Sequence, residues 1–190
     1  MDKELKKEYE SKKESLKSKL SEFKNKNVKE QYEEFLFCLL TPQSKAQKCW
    51  QAVEQLRNLK DFSQDKVEEI LRTKTRFYKT KAKRIMLAKN TWQELSKLLS
   101  PQDSAELRNI IYEKVNGYGL KEAYHFLRNI GLSDNKIAIL DRHIIKNLNN
   151  YKVITQNKIK SKNDYLKIEK EYLKFAEEQK IPADELDLLW

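Results

Sequence analysis

Apolar residues recur along most of the chain at intervals of three and four, the spacing of one face of an α-helix. Leu5, Tyr9, Leu16, Leu20 and Phe23 mark an amphipathic segment over residues 1–27, with dense charge between them. Tyr32, Phe35, Leu36, Leu39 and Leu40 form a denser stripe and predict a second helix that enters the core. Thr41-Pro42 stops it, with Thr41 as N-cap and Pro42 as first residue of a third helix through Ala46, Cys49, Trp50, Val53 and Leu56. A short helix is expected over 61–71, another through Ala82, Ile85 and Met86, and a separate one through Trp92, Leu95, Leu98 and Leu99, ended by Ser100-Pro101. No segment sustains the two-residue alternation of a strand, so the pattern predicts an all-α fold.

The stripes on either side of residue 118 carry more information. Leu107, Ile110, Ile111 and Val115 lie on one face, with Asp103 or Ser104 as cap. Ala123, Phe126, Leu127 and Ile130 lie on another, closed by Gly131. Between them stand Gly117 and Gly119, two of the three glycines in the chain. Two helices joined by a tight glycine turn make a helix-hairpin-helix. The second would begin near Leu120, and its unpaired backbone N–H groups and dipole would form an anion site that a DNA phosphate fits. Downstream, IAIL is a short apolar run entering the interior. Asp141 follows it and can cap a helix over 142–148. A polar, basic connection over 149–163 leads to a long helix through Tyr165, Ile168, Tyr172 and Phe175 and a final one that starts after Pro182 and stops at Trp190.

Composition narrows the function classes. The net charge is +10 over 190 residues, which points to a polyanionic partner. Residues 72–89 hold eight Lys or Arg and no acid, and residues 142–162 hold six more and no acid. The bland alternative for either run is a solvated, lysine-rich surface. No apolar run is long enough for a membrane span, and the N-terminus lacks the apolar core of a signal peptide. Cys38 and Cys49 form no CxxC pair and are too few for an iron–sulfur cluster. An intracellular, cytoplasmic protein is expected.

NGYGLKEA, followed by ILDRH with Asp141 twenty residues after Lys121, resembles the helix-hairpin-helix DNA glycosylases with a Gly/Pro-rich loop and a distal aspartate. Asn116 stands where that loop often has proline. Lysine at the position of Lys121 resembles the bifunctional members, which excise a base and then nick the strand. The resemblance implies Lys121 as nucleophile, Asp141 as the charge that stabilises the transition state, and His143 as a phosphate contact. Taken singly, Lys121 reads rather as a phosphate contact and Asp141 as an ordinary helix cap. TPQ places Gln43 where the family wedges a glutamine into the gap left by a flipped base; the alternative is an exposed first-turn glutamine. Arg76, Lys81 and Lys83 of the first basic run are assigned, with Gly117 and Gly119, to the DNA backbone.

The length, the lack of clustered cysteines, TPQ, RFYK, ILDRHI and the DLLW end together resemble the archaeal-type second family of 8-oxoguanine DNA glycosylases. That resemblance implies two lobes, one from residues 1–41 and 131–190, the other a helical barrel over 42–130. It implies a base sandwiched by Phe77 and Trp190, although either ring can simply pack on a neighbouring helix. Family chains run past this tryptophan and use the terminal carboxylate to read the base, so the acceptor for the oxidised base stays unassigned. The implied partner is duplex DNA with 8-oxoguanine or an abasic site, bound by a monomer, with no membrane, metal or cofactor. The competing readings are a DNA-binding module without catalysis, and a glycosylase for another damaged base.

Overall fold

The structure is a computed structural model describing residues 2–100 and 103–190. All regular structure among them is helical: α1 (Lys3–Lys24), α2 (Val28–Leu40), α3 (Ala46–Arg57), α4 (Gln64–Arg72), α5 (Tyr78–Leu95), α6 (Ser104–Lys114), α7 (Leu120–Asn129), α8 (Arg142–Asn150), α9 (Lys162–Gln179) and α10 (Ala183–Leu189). Among the described residues, no helix is long and apolar enough to cross a membrane. The chain divides into two compact units, residues 1–25, 103–105 and 127–190, and residues 26–102 and 106–126. Residues 26–41, which the resemblance placed with the chain ends, pack in the second unit, and residues 127–130 in the first.

The reason lies in α2, which is buried from Glu33 to Leu40. Phe35 is fully buried against the rings of Tyr32, Trp92, Tyr118 and Phe126. Tyr118 also donates its hydroxyl to the Phe35 carbonyl at 2.8 Å. Truncating such a central ring to alanine costs about 3–5 kcal/mol. The buried carboxylates of Glu33 and Glu34 are paired with Arg57 and Lys26, as burial of charge requires. α2 is therefore the axis of this unit, wrapped by α3 and α5.

Three local expectations are corrected. Thr41 caps the end of α2, and residues 42–45 form a turn before α3 starts at Ala46. The Ala82 and Trp92 stripes lie on one continuous helix, α5. No breaker interrupts them, and Ala82, Ile85, Ala88, Trp92 and Leu95 keep one buried face. Leu98 and Leu99 fall in the turn beyond it, and the stop at Pro101 lies outside the described residues.

In the first unit, α1 packs on α10, with Tyr9 donating its hydroxyl to Glu185 at 2.7 Å. The IAIL segment, residues 137–140, is buried and has no regular secondary structure. Its polar backbone is satisfied from α9: the Ala138 amide donates to Glu169 at 2.9 Å, and the Tyr165 hydroxyl donates to the Ala138 carbonyl. This anchored run delivers Asp141 to the start of α8.

Candidate active site

The hairpin forms as the glycines predict, but its anion site differs from expectation. The Tyr118 amide is bonded to Val115, and Gly117 turns at φ +107°, which a side-chain-bearing residue rarely adopts. α7 then starts at Leu120. Glu122, at the third position of α7, folds back and accepts the Gly119 amide on Oε2 at 3.1 Å, as in half of a capping box. The Gly119 amide is thus occupied by a carboxylate of the chain itself.

The other oxygen of Glu122, Oε1, lies 3.0 Å from Lys121 Nζ, whose side chain is 32% exposed. One carboxylate therefore bridges the turn and the amine. A Cβ on Gly119 would lie 2.9 Å from Glu122 Oε2, and one on Gly117 would lie 2.6 Å from Cδ and Nε of Arg84. Arg84 reaches the hairpin from α5. It escaped the sequence reading because the basic run does not reveal which cation faces the turn.

Two further turns of the second unit carry predicted residues. Gln43 is exposed with φ 54°, and Phe77 is 56% exposed with φ 56°, preceding α5. Left-handed backbone at non-glycine residues costs about 1 kcal/mol or more and is kept only where the surroundings enforce it. More than half of Phe77 is exposed, and its ring meets the Arg76 guanidinium at 5.4 Å. Arg76 and Lys83 are exposed, as a phosphate contact requires.

Lys81 is a correction. Its side chain is buried, and Nζ donates to the Leu40 carbonyl (2.7 Å), the Pro42 carbonyl (2.8 Å) and Ser44 Oγ (2.9 Å). All three donors are spent inside the protein, so it does not bind a phosphate. Burial lowers its pKa to about 8.

In the first unit, Asp141 caps α8. Its Oδ1 accepts the His143 amide at 2.7 Å and the Ile144 amide at 3.0 Å, which fixes the carboxylate. His143 is exposed beside it, its Nε2 accepting from Arg142 Nε at 3.3 Å. Asp187, also missed by the sequence reading, is largely buried, with its carboxylate 3.0 Å from Arg128. Burial raises its pKa to about 6, opposed by Arg128 and reinforced by Asp184 and Asp141.

Trp190 has ring partners in its own unit. Its ring stacks on Tyr151 at 5.7 Å and 14°, and meets Phe175 at 5.6 Å. One face is covered within its own unit, and the residue as a whole is half-buried.

A glycine hairpin with a lysine opening its second helix, and an aspartate capping a later one, defines a helix-hairpin-helix DNA glycosylase. Within that class, this chain belongs to the 8-oxoguanine DNA glycosylase family, whose sequence pattern matches residues 16–181. The 8-oxoguanine DNA glycosylase/AP lyase of Fusobacterium nucleatum is 36% identical, over 98% of this chain and 91% of its own. The crystal structure of the Thermotoga maritima 8-oxoguanine DNA glycosylase superposes with a TM-score of 0.86 at 27% identity, covering 98% of this chain and 92% of that one. The Methanocaldococcus jannaschii 8-oxoguanine glycosylase/lyase, crystallised with a 15mer DNA containing 8-oxoguanine, gives 0.84 at 30% identity, covering 97% and 94%.

Proposed function

We propose that this protein excises 8-oxoguanine from duplex DNA and cleaves the strand at the resulting abasic site, through an imine between Lys121 and the sugar C1′. The observation that carries the proposal is Lys121 itself, a partly exposed amine on the first turn of the hairpin's second helix. The names of the relatives supply the substrate.

For the reaction, the Lys121 ammonium must leave its contact with Glu122 and lose a proton, because only a neutral amine attacks carbon. The Nζ–C1′ bond forms as the C1′–N9 bond breaks, and the base departs with that electron pair and takes a proton. Asp141 is assigned to the positive charge that develops at C1′. A carboxylate fixed by two backbone amides reorganises little as that charge appears. The nitrogen lone pair then opens the sugar ring: the C1′–O4′ bond breaks, O4′ takes a proton, and a protonated imine forms between Nζ and C1′. This imine acidifies C2′, loss of a C2′ proton expels the 3′ phosphate, and hydrolysis frees the lysine. Gly117, Arg84, Arg76, Lys83 and His143 are assigned to phosphates, Gln43 to the vacated gap, and Phe77 to one face of the base.

Borohydride trapping on duplexes with single lesions tests the reading. A covalent adduct is expected with 8-oxoguanine and with an abasic site, and none with undamaged DNA. Lys121→Gln should give no adduct while still binding the lesion duplex. An adduct that persists in this variant removes Lys121 as nucleophile, and absence of any adduct in the parent removes the imine mechanism.

A further inference from the structure

The turn at Gln43 and the turn at Phe77 are far apart in sequence, both exposed, and both built around a left-handed non-glycine residue. They meet at one buried group. Lys81 Nζ donates to the Leu40 and Pro42 carbonyls on the Gln43 side. It also donates to Ser44 Oγ, and that same oxygen accepts the Arg76 amide, immediately before Phe77, at 2.9 Å. The Ser44 hydroxyl proton points back to the Pro42 carbonyl at 3.4 Å, so the donor and both acceptor sites of this hydroxyl are used. Cys49 Sγ donates to the same Leu40 carbonyl at 3.2 Å. A helix C-terminus, a turn and a second turn therefore converge on one ammonium.

We propose that Lys81, acting through Ser44, is a positioning residue that couples the two turns, so that Gln43 and Phe77 are presented to DNA as one preformed unit. The proposal rests on the roles given above to Gln43 and Phe77. Its physical content is that a wedge and a stacking ring must act on one flipped nucleotide at the same moment. Misplacing either by about 1 Å is enough to slow such a reaction severely. Gln43 and Phe77 themselves both face solvent, so neither side chain holds its own turn in place. The bonds of Lys81 and Ser44 link the two turns directly.

The tether also has a pH limit. Lys81 is faced by Cys49 of α3, Arg76 of the loop, Arg84 of α5 and Glu122 of α7. Burial holds its pKa at about 8 and pushes that of Cys49 up to about 11, so the thiol stays protonated while the ammonium titrates. A neutral amine has two N–H donors for three acceptors, and one bond to the turns is then lost.

Two measurements on the full chain test the proposal. In hydrogen exchange, Lys81→Met and the milder Ser44→Ala should both accelerate exchange in residues 41–45 and 76–78 together, by about tenfold or more, while α9 stays protected. In the parent, after correction for intrinsic rates, both segments should accelerate as pH rises through about 8, and Lys81→Met should lack that step. In single-turnover excision of 8-oxoguanine, Lys81→Met should lose about ten- to hundredfold, and should lose nothing further in a Gln43→Ala/Phe77→Ala background.

Unchanged exchange at either turn in both variants overturns the tether. An excision loss in that background as large as in the parent makes Lys81 a structural residue and also overturns it. If Gln43→Ala/Phe77→Ala itself excises normally while exchange still rises, the assignment of those two residues fails, and the functional claim for Lys81 fails with it. If Lys81→Met does not fold, Ser44→Ala decides the same outcomes, because it removes only the bridging oxygen.

Discussion

Replacing Gly117 by alanine separates two reasons for glycine at the hairpin. The first is conformational: at φ +107° an L-residue is outside its favoured regions, at a cost of about 1–3 kcal/mol. The second is steric, since the new Cβ would stand 2.6 Å from Cδ and Nε of Arg84 and 2.8 Å from its Cζ. Those atoms are the far end of a flexible side chain, so the clash is relieved by swinging the guanidinium away rather than by moving backbone. The stability loss should therefore stay near the conformational figure and lower Tm by roughly 3–10 °C for a chain of this length. The displaced guanidinium should show up in DNA binding, as about tenfold weaker affinity for an undamaged duplex, or about 1.4 kcal/mol. Thermal unfolding and fluorescence anisotropy read the two effects separately. Combining the change with Arg84→Ala should be less than additive in binding, because the same cation is removed twice. A Tm within about 1 °C of the parent would refute the strain argument, given the scaling above, and full additivity would falsify the clash with Arg84.

Other perturbations follow from the same contacts. Glu122→Gln removes a negative charge beside the Gly119 amide and Lys121 and should tighten duplex binding by a few-fold, roughly 0.5–1 kcal/mol, with the gain shrinking at high salt; weaker binding would show that the carboxylate supports the hairpin rather than competing with DNA for it. Phe77→Ala should slow excision of 8-oxoguanine by an amount set by about 1–3 kcal/mol of stacking, and leave cleavage of a preformed abasic site nearly unchanged; equal losses on both would assign the ring to the fold. Trp190→Ala, by contrast, opens the cluster with Tyr151 and Phe175 and should lower Tm by roughly 5–15 °C, equivalent to about 2–4 kcal/mol. Asp187 has its pKa raised from 3.8 to about 6, so the folded state holds the extra proton across that window. Its contribution is present below about 4 and is lost as pH rises through about 6, by up to about 3 kcal/mol. Denaturant titrations of the parent and Asp187→Asn from pH 4 to 7 should show the parent losing ground relative to the variant; parallel curves would remove Asp187 as the titrating group.

The sequence showed the hairpin because its signals are local and redundant. Two apolar stripes of helical period flank a Gly-x-Gly turn, and each stripe becomes buried core: Leu107 and Ile111 on α6, Ala123 and Leu127 on α7. Asp141 was legible for the same reason, since a short polar residue between an apolar run and a new helical stripe has few places to go except the cap. The misread features are those where one residue type serves two physical ends. Lys81 sits in a run of surface cations, yet α5 turns that one position inward, and its long stem carries the charge to three oxygens that no periodicity argument could locate. Glu122 reads as an ordinary first-turn acid, yet the turn that frees the Gly119 amide also brings the carboxylate within reach of it. Trp190 reads as one wall of a base sandwich or as a packing ring, and Tyr151, separated from it by the whole of α9, covers one of its faces. In each case the helix was predictable from spacing while the partner was not, and it is the partner that decides whether a charged or aromatic side chain meets DNA or holds the fold.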